Sequence, residues 1–172
     1  MEDNIKNFNL PACAPETGLV KAEKTTLPSK DVLSDLTCRK LIKEAMAMLP
    51  KAYAPYSNFK VGCALMGKSK KIYTGCNVEN AAYPMTNCAE RTAFFKAVSE
   101  GEQDFYAIAI VGGKDGIVRD YCPPCGACRQ VMAEFCNPDK FYIILAISEE
   151  DYWTYTLSDL FPLSFSNKNM EK

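Results

Sequence analysis

Asn87-Cys88-Ala89-Glu90-Arg91 and Pro124-Cys125-Gly126-Ala127-Cys128-Arg129-Gln130 decide how this chain is read. Cys125 and Cys128 are three residues apart, so at a helix start both thiols share one face. Cys88 opens another helix, and two helix N-termini then point at one place. The chain has no histidine. Three thiolates can hold Zn²⁺ and leave the fourth tetrahedral position open for water, which separates a catalytic zinc from a structural one. Glu90, two positions after Cys88, is left free to move protons. Its other reading is a first-turn glutamate favoured by the helix dipole.

The segments around these motifs alternate between helix and strand. Val32, Leu33, Leu36, Leu41, Ile42, Ala45, Met46 and Leu49 predict a helix over 31–49, stopped by Pro50. Residues 60–66 and 71–77 read as strands, joined closely enough to form an antiparallel hairpin. A helix is expected from Cys88, with Thr86 or Asn87 as cap, to just before Gly101. A buried strand over 105–111 follows, then a helix from about 125 to 135, broken at Asn137-Pro138. Residues 141–147 and 152–157 read as strands, with a short helix near 158–161. The 148–151 link is too short for a helical crossover, so the last two strands should be antiparallel. The order implies an α/β fold with both faces of the sheet covered.

The 172 residues fit one domain with a short extension. Residues 1–30 read as a flexible extension, 31–166 as the catalytic domain and 167–172 as a tail. The net charge of −1 gives no global field for nucleic acid. No apolar run reaches membrane-span length. The N-terminus has neither a signal pattern nor an arginine-rich transit pattern, so a cytoplasmic protein is expected, and a nuclear pool would look the same. Nine cysteines without an export signal argue for free thiols rather than a disulfide scaffold.

Two other readings of the cysteines stay open. Cys122 could close a structural Cys₄ site, although two prolines fill its gap to Cys125. A redox Cys-x-x-Cys would leave Cys88 and Glu90 unexplained. Three thiolates on Zn²⁺ carry net charge −1, which helix N-termini offset. Arg91 shares the face of Cys88 and can bond a ligand sulfur, its other reading being a surface ion pair.

The chain resembles the homotetrameric zinc-dependent cytidine deaminases of pyrimidine nucleoside salvage. The resemblance covers about residues 31–166. It rests on Tyr56-Ser57-Asn58-Phe59-Lys60-Val61-Gly62, on Gly75-Cys76-Asn77-Val78-Glu79-Asn80-Ala81-Ala82-Tyr83-Pro84, and on the two cysteine motifs. Cys-x-Glu followed by Pro-Cys-x-x-Cys is a deaminase signature. The resemblance implies a three-layer α/β/α fold with a mixed five-stranded sheet. It implies one zinc per chain on Cys88, Cys125 and Cys128, with Glu90 as general acid/base. Asn77 and Glu79 match residues that hold the ribose hydroxyls, and Ala81 and Tyr83 lie in the segment lining the nucleoside site. Phe59 matches an aromatic that packs against the base. Phe165 matches a C-terminal phenylalanine that reaches a neighbouring subunit of a homotetramer. The bland readings are a solvated strand end for Asn77 and Glu79, and core packing for the two phenylalanines. Tyr121-Cys122-Pro123 departs from the more usual serine before Pro-Cys.

The implied reaction is hydrolytic deamination of cytidine and 2′-deoxycytidine to uridine and 2′-deoxyuridine plus ammonia. The alternatives are a deaminase of another aminopyrimidine nucleoside, a nucleic-acid-editing deaminase, and a non-catalytic zinc-binding interaction protein. Glu90 weighs against the last.

Overall fold

The computed structural model describes residues 33–166 and 169–170. The expected extension over 1–30 lies outside those residues, as do Val32 and residues 167, 168, 171 and 172 of the expected tail.

Helix α1 (Asp35–Met46) begins at Ser34, whose side chain accepts from the Thr37 N–H. Cys38, Leu41, Ile42 and Ala45 are its buried stripe. The helix is shorter than the apolar pattern suggested. Leu33 precedes the cap, and Leu49-Pro50-Lys51 forms a separate 3₁₀ turn that accepts Pro50 in its first turn. Leu36, expected in the stripe, is 78% exposed. Two residues before Cys38 is about 200° around a helix, which is the opposite face.

The rest of the chain runs β1 (Phe59–Gly67), β2 (Ile72–Cys76), α2 (Ala89–Ser99), β3 (Phe105–Lys114), α3 (Gly126–Phe135), β4 (Tyr142–Ala146), β5 (Tyr152–Thr156) and α4 (Leu157–Leu160). A 3₁₀ turn, Tyr83–Met85, precedes α2. The five strands form one sheet in the order β2-β1-β3-β4-β5. All neighbours are antiparallel except β3 and β4, which α3 connects. The sheet is therefore mixed, and β4–β5 pairs antiparallel as its short link requires.

Period-two burial splits the core between the two faces. Cys63, Leu65, Ile108, Ile110, Ile143 and Leu145 meet α2 and α3 on one side. Ala64, Met66, Ala107, Ala109, Val111, Ile144 and Ala146 meet α1 on the other. Four alanines in that second set let α1 lie close. On the first side Phe94 is fully buried, with Phe105, Phe141 and Phe135 rings 4.9, 6.0 and 6.1 Å away. Burying one such side chain contributes about 1.5–3 kcal/mol.

Two glycines mark where helices touch the sheet. A Cβ on Gly62 would overlap the Ala45 carbonyl of α1, and one on Gly75 would overlap the Ala89 carbonyl at the start of α2. The ends of β2 and β3 lie on the same edge as the start of β1, since Gly62 pairs Cys76 and Phe59 pairs Lys114. Both α2 and α3 start beyond that edge. Among the described residues no helix is long and apolar enough to cross a membrane.

Candidate functional site

Cys88 is the N-cap of α2 and Cys125 the N-cap of α3, so each helix starts one residue later than expected. Both caps are extended, and neither sulfur makes a capping hydrogen bond to its own helix. The thiols are left to face one another at the positive ends of two helices. Cys88 Sγ lies 3.9 Å from Cys125 Sγ, which lies 3.4 Å from Cys128 Sγ. All three sulfurs lie within 4.8 Å of one another. Zn–S bonds of about 2.3 Å at a tetrahedral angle place sulfurs about 3.8 Å apart, so the three fit a zinc ion. They grade from exposed Cys125 through half-buried Cys88 to buried Cys128.

The electrostatics place negative charge on Cys88, while the hydrogen bond between Cys88 and Cys128, with burial, pushes the Cys128 thiol up. The Cys88 thiol is lowered to about 5, first by its hydrogen bond with Cys128, then by the Arg91 guanidinium. Arg91 donates from Nη2 to the Thr86 carbonyl at 2.9 Å and to Cys88 Sγ at 3.5 Å. Its Nε is buried without a partner. Glu90 is only 5% exposed. Its carboxyl is pushed up, chiefly by burial and then by the Cys88 charge, while its own backbone N–H, Cys128 and Arg91 oppose the shift.

Cys122 stands apart from the sulfur cluster, which among the described residues comprises Cys88, Cys125 and Cys128. It packs under β3, where a Cβ on Gly112 would come within 2.9 Å of its sulfur. Burial raises its thiol to about 12. All eight described cysteines are free.

The remaining candidates lie at the start of β1, in the segment that follows β2 and in the C-terminal segment. Asn77 is buried and ties β1 to the end of β2: Oδ1 accepts from the Val61 N–H and Nδ2 donates to the Phe59 carbonyl, both at 2.8 Å. Reciprocal backbone bonds between Val78 and Asn87, each 2.9 Å, pinch off the intervening loop. That brings Glu79 and Tyr83 together with Tyr56, Ser57 and Thr86 around a cavity of about 200 Å³. Ala81 is exposed in the same loop. Phe59 instead lines a neighbouring cavity of about 270 Å³ with residues of the 112–121 segment, including Arg119 and Tyr121. Phe165 is 59% exposed, and its carbonyl accepts from Gln130 Nε2 at 2.9 Å.

Two functions of side chains went unread in the sequence. Glu79 accepts from the Tyr56 N–H at 2.9 Å, the Ser57 N–H at 3.2 Å and the Ser57 hydroxyl at 2.5 Å. Arg129 and Gln130 bond carbonyls far along the chain. Both sets lay inside quoted motifs, but long-range hydrogen bonds leave no periodic signal.

Residues 37–145 match the family described as the cytidine and deoxycytidylate deaminase zinc-binding region. A cytidine deaminase of Sporosarcina psychrophila is 50% identical over 131 residues, 76% of this chain and 93% of that protein. One of Halalkalibacterium halodurans is 49% identical over 130 residues, 76% of this chain and 95% of that protein. The crystal structure of cytidine deaminase from Burkholderia pseudomallei superposes with a TM-score of 0.67 at 47% identity, covering 73% of this chain and 97% of that one.

Proposed function

We infer the reaction from one premise: this chain belongs to the cytidine and deoxycytidylate deaminase family. It is a zinc-dependent hydrolytic deaminase that converts cytidine and 2′-deoxycytidine to uridine and 2′-deoxyuridine plus ammonia, the chemistry of pyrimidine salvage. The observation that carries this reading is a buried carboxyl, Glu90, beside three convergent thiols at two helix starts.

Cys88, Cys125 and Cys128 would hold the zinc, and Arg91 offsets their surplus charge. Bound there, zinc supplies Lewis acidity that brings the pKa of water towards neutrality. Glu90 accepts a proton from the attacking water and delivers it to N3 of the pyrimidine as the water oxygen adds to C4. Glu90 then carries the second proton to the departing amine, the C4–N4 bond breaks, and ammonia leaves. A carboxyl raised by burial suits both directions of transfer.

Glu79 and Asn77 read the sugar hydroxyls. Each keeps unused hydrogen-bonding capacity beyond its present partners, and a site built on such groups rejects analogues that leave them unpaired. Ala81 and Tyr83 line the nucleoside loop, and Phe59 packs on the base. Phe165 covers the site of a neighbouring subunit in a homotetramer. Its exposure, with Leu163 at 95%, supports a covered position in an assembly. The eight free thiols fit the reducing cytoplasm. The net charge of −1 fits a free nucleoside better than a nucleic acid.

Ultraviolet monitoring of cytidine conversion, with metal analysis of the same sample, tests the proposal. Loss of the cytidine absorbance at one bound zinc per chain is expected. A zinc-loaded protein that leaves cytidine intact would overturn it.

A further inference from the structure

Arg129 and Gln130 follow the last cysteine of the metal motif, and their side chains reach across the fold to the same segment. Arg129 donates from Nε to the Pro124 carbonyl at 2.9 Å, bracing the turn that carries Cys125. Its Nη1 donates to the Leu160 carbonyl at 2.7 Å, 31 residues away. Leu160 ends α4, so the guanidinium supplies positive charge and a donor to that helix's C-terminal carbonyl. Gln130 donates from Nε2 to the Phe165 carbonyl, 35 residues away. Two consecutive residues of α3 thus pin two points of the C-terminal segment.

The bonds go to backbone, and the side chains behave differently along the segment. Leu160 and Phe161 pack against the core. Leu163 and Phe165 point outward. A carbonyl held in place while its ring stays exposed is the geometry of a presented side chain. We propose that Arg129 and Gln130 are positioning residues, which fix the C-terminal segment on the metal turn so that Phe165 is presented to the nucleoside site of a second copy. This rests on the reading of Phe165 given above.

The test uses full-length, zinc-loaded protein with Gln130→Leu, Phe165→Ala and the double variant. Zinc content should stay close to wild type in all three. KM for cytidine should rise in Gln130→Leu by about 2- to 10-fold, the size of one neutral hydrogen bond. The double variant should be no worse than Phe165→Ala, because both act through one ring. Hydrogen exchange over residues 161–166 should accelerate in Gln130→Leu without reference to turnover. A merely structural glutamine would lower the unfolding temperature and leave KM alone. Should Gln130→Leu fail to fold, Gln130→Glu keeps the shape and removes the donor. Unchanged exchange over 161–166, or additive losses in the double variant, would overturn the proposal. Wild-type protein inert towards cytidine would sink the reaction instead, and exchange would still decide this point.

Discussion

Ser57 donates its hydroxyl to Oε1 of Glu79 at 2.5 Å, and its backbone N–H reaches Oε2 at 3.2 Å. The same hydroxyl accepts from the Phe59 N–H at 2.9 Å, so one carboxylate orders the entry to β1. These bonds hold the Glu79 carboxyl below its ordinary value, the Ser57 hydroxyl first among them.

A carboxyl with a depressed folded pKa stabilises the fold above its ordinary pKa of 4.5, and withdraws that support as pH falls through the lower folded value. The difference in unfolding temperature between wild type and Glu79→Gln should be flat from about pH 8 to 5 and shrink below about 4.5. A difference that stays constant to about pH 3 would remove the carboxylate from the latch.

Each of the three proposed zinc ligands should be individually required. Cys88→Ala, Cys125→Ala and Cys128→Ala are expected to lose the metal and the activity together, measured on one purified sample. Cys122→Ala should keep its zinc, since that sulfur packs under β3. Full zinc occupancy in Cys125→Ala would refute the assignment.

Glu90→Gln keeps the size of the side chain and removes the proton transfer proposed for it. Zinc should remain bound, and turnover should fall by at least about 10²–10⁴-fold, the usual cost of a lost general acid/base. Near-normal turnover would take Glu90 out of the mechanism.

Gly75→Ala should disturb the site through the fold. The added methyl meets the Ala89 carbonyl next to Cys88, and overpacking of this kind costs about 1–3 kcal/mol. Chemical denaturation should show that loss, and a competition assay should show weaker zinc binding. Wild-type stability with unchanged affinity would mean that α2 can shift without moving its sulfur.

Light scattering at micromolar concentration should give about four times the chain mass. Phe165→Ala should weaken nucleoside binding while zinc stays in place. A fully active monomer would exclude a shared site.

Most of the candidate site was legible in the sequence because its residues fall in short local motifs. Cys125 and Cys128 are one helical turn apart, and Glu90 and Arg91 sit within three residues of Cys88. The strands were legible from alternation, as in Cys63 and Leu65 against Ala64 and Met66. Leu36 was misread because an apolar residue fits a loose stripe, whereas the Ser34 cap and the Cys38 phase fix the actual face. The Asn77 bracket on Phe59 and Val61, the Ser57–Glu79 latch and the reach of Gln130 depend on pairings 16, 18, 22 and 35 residues apart. Composition and periodicity do not encode such distances.

Cys88 and Cys125 stand 37 residues apart, and β3 lies between them. An ion gripping both is a cross-link as well as a reagent. It closes a loop around the central strand of the sheet and thereby narrows what the denatured chain can explore. For a covalent bridge the loop-closure relation assigns about 4 kcal/mol to a loop of that length. By the same entropy, a metal held by these two sulfurs would also tether the middle of the sheet, so the chain's persistence against unfolding would become a matter of metal supply.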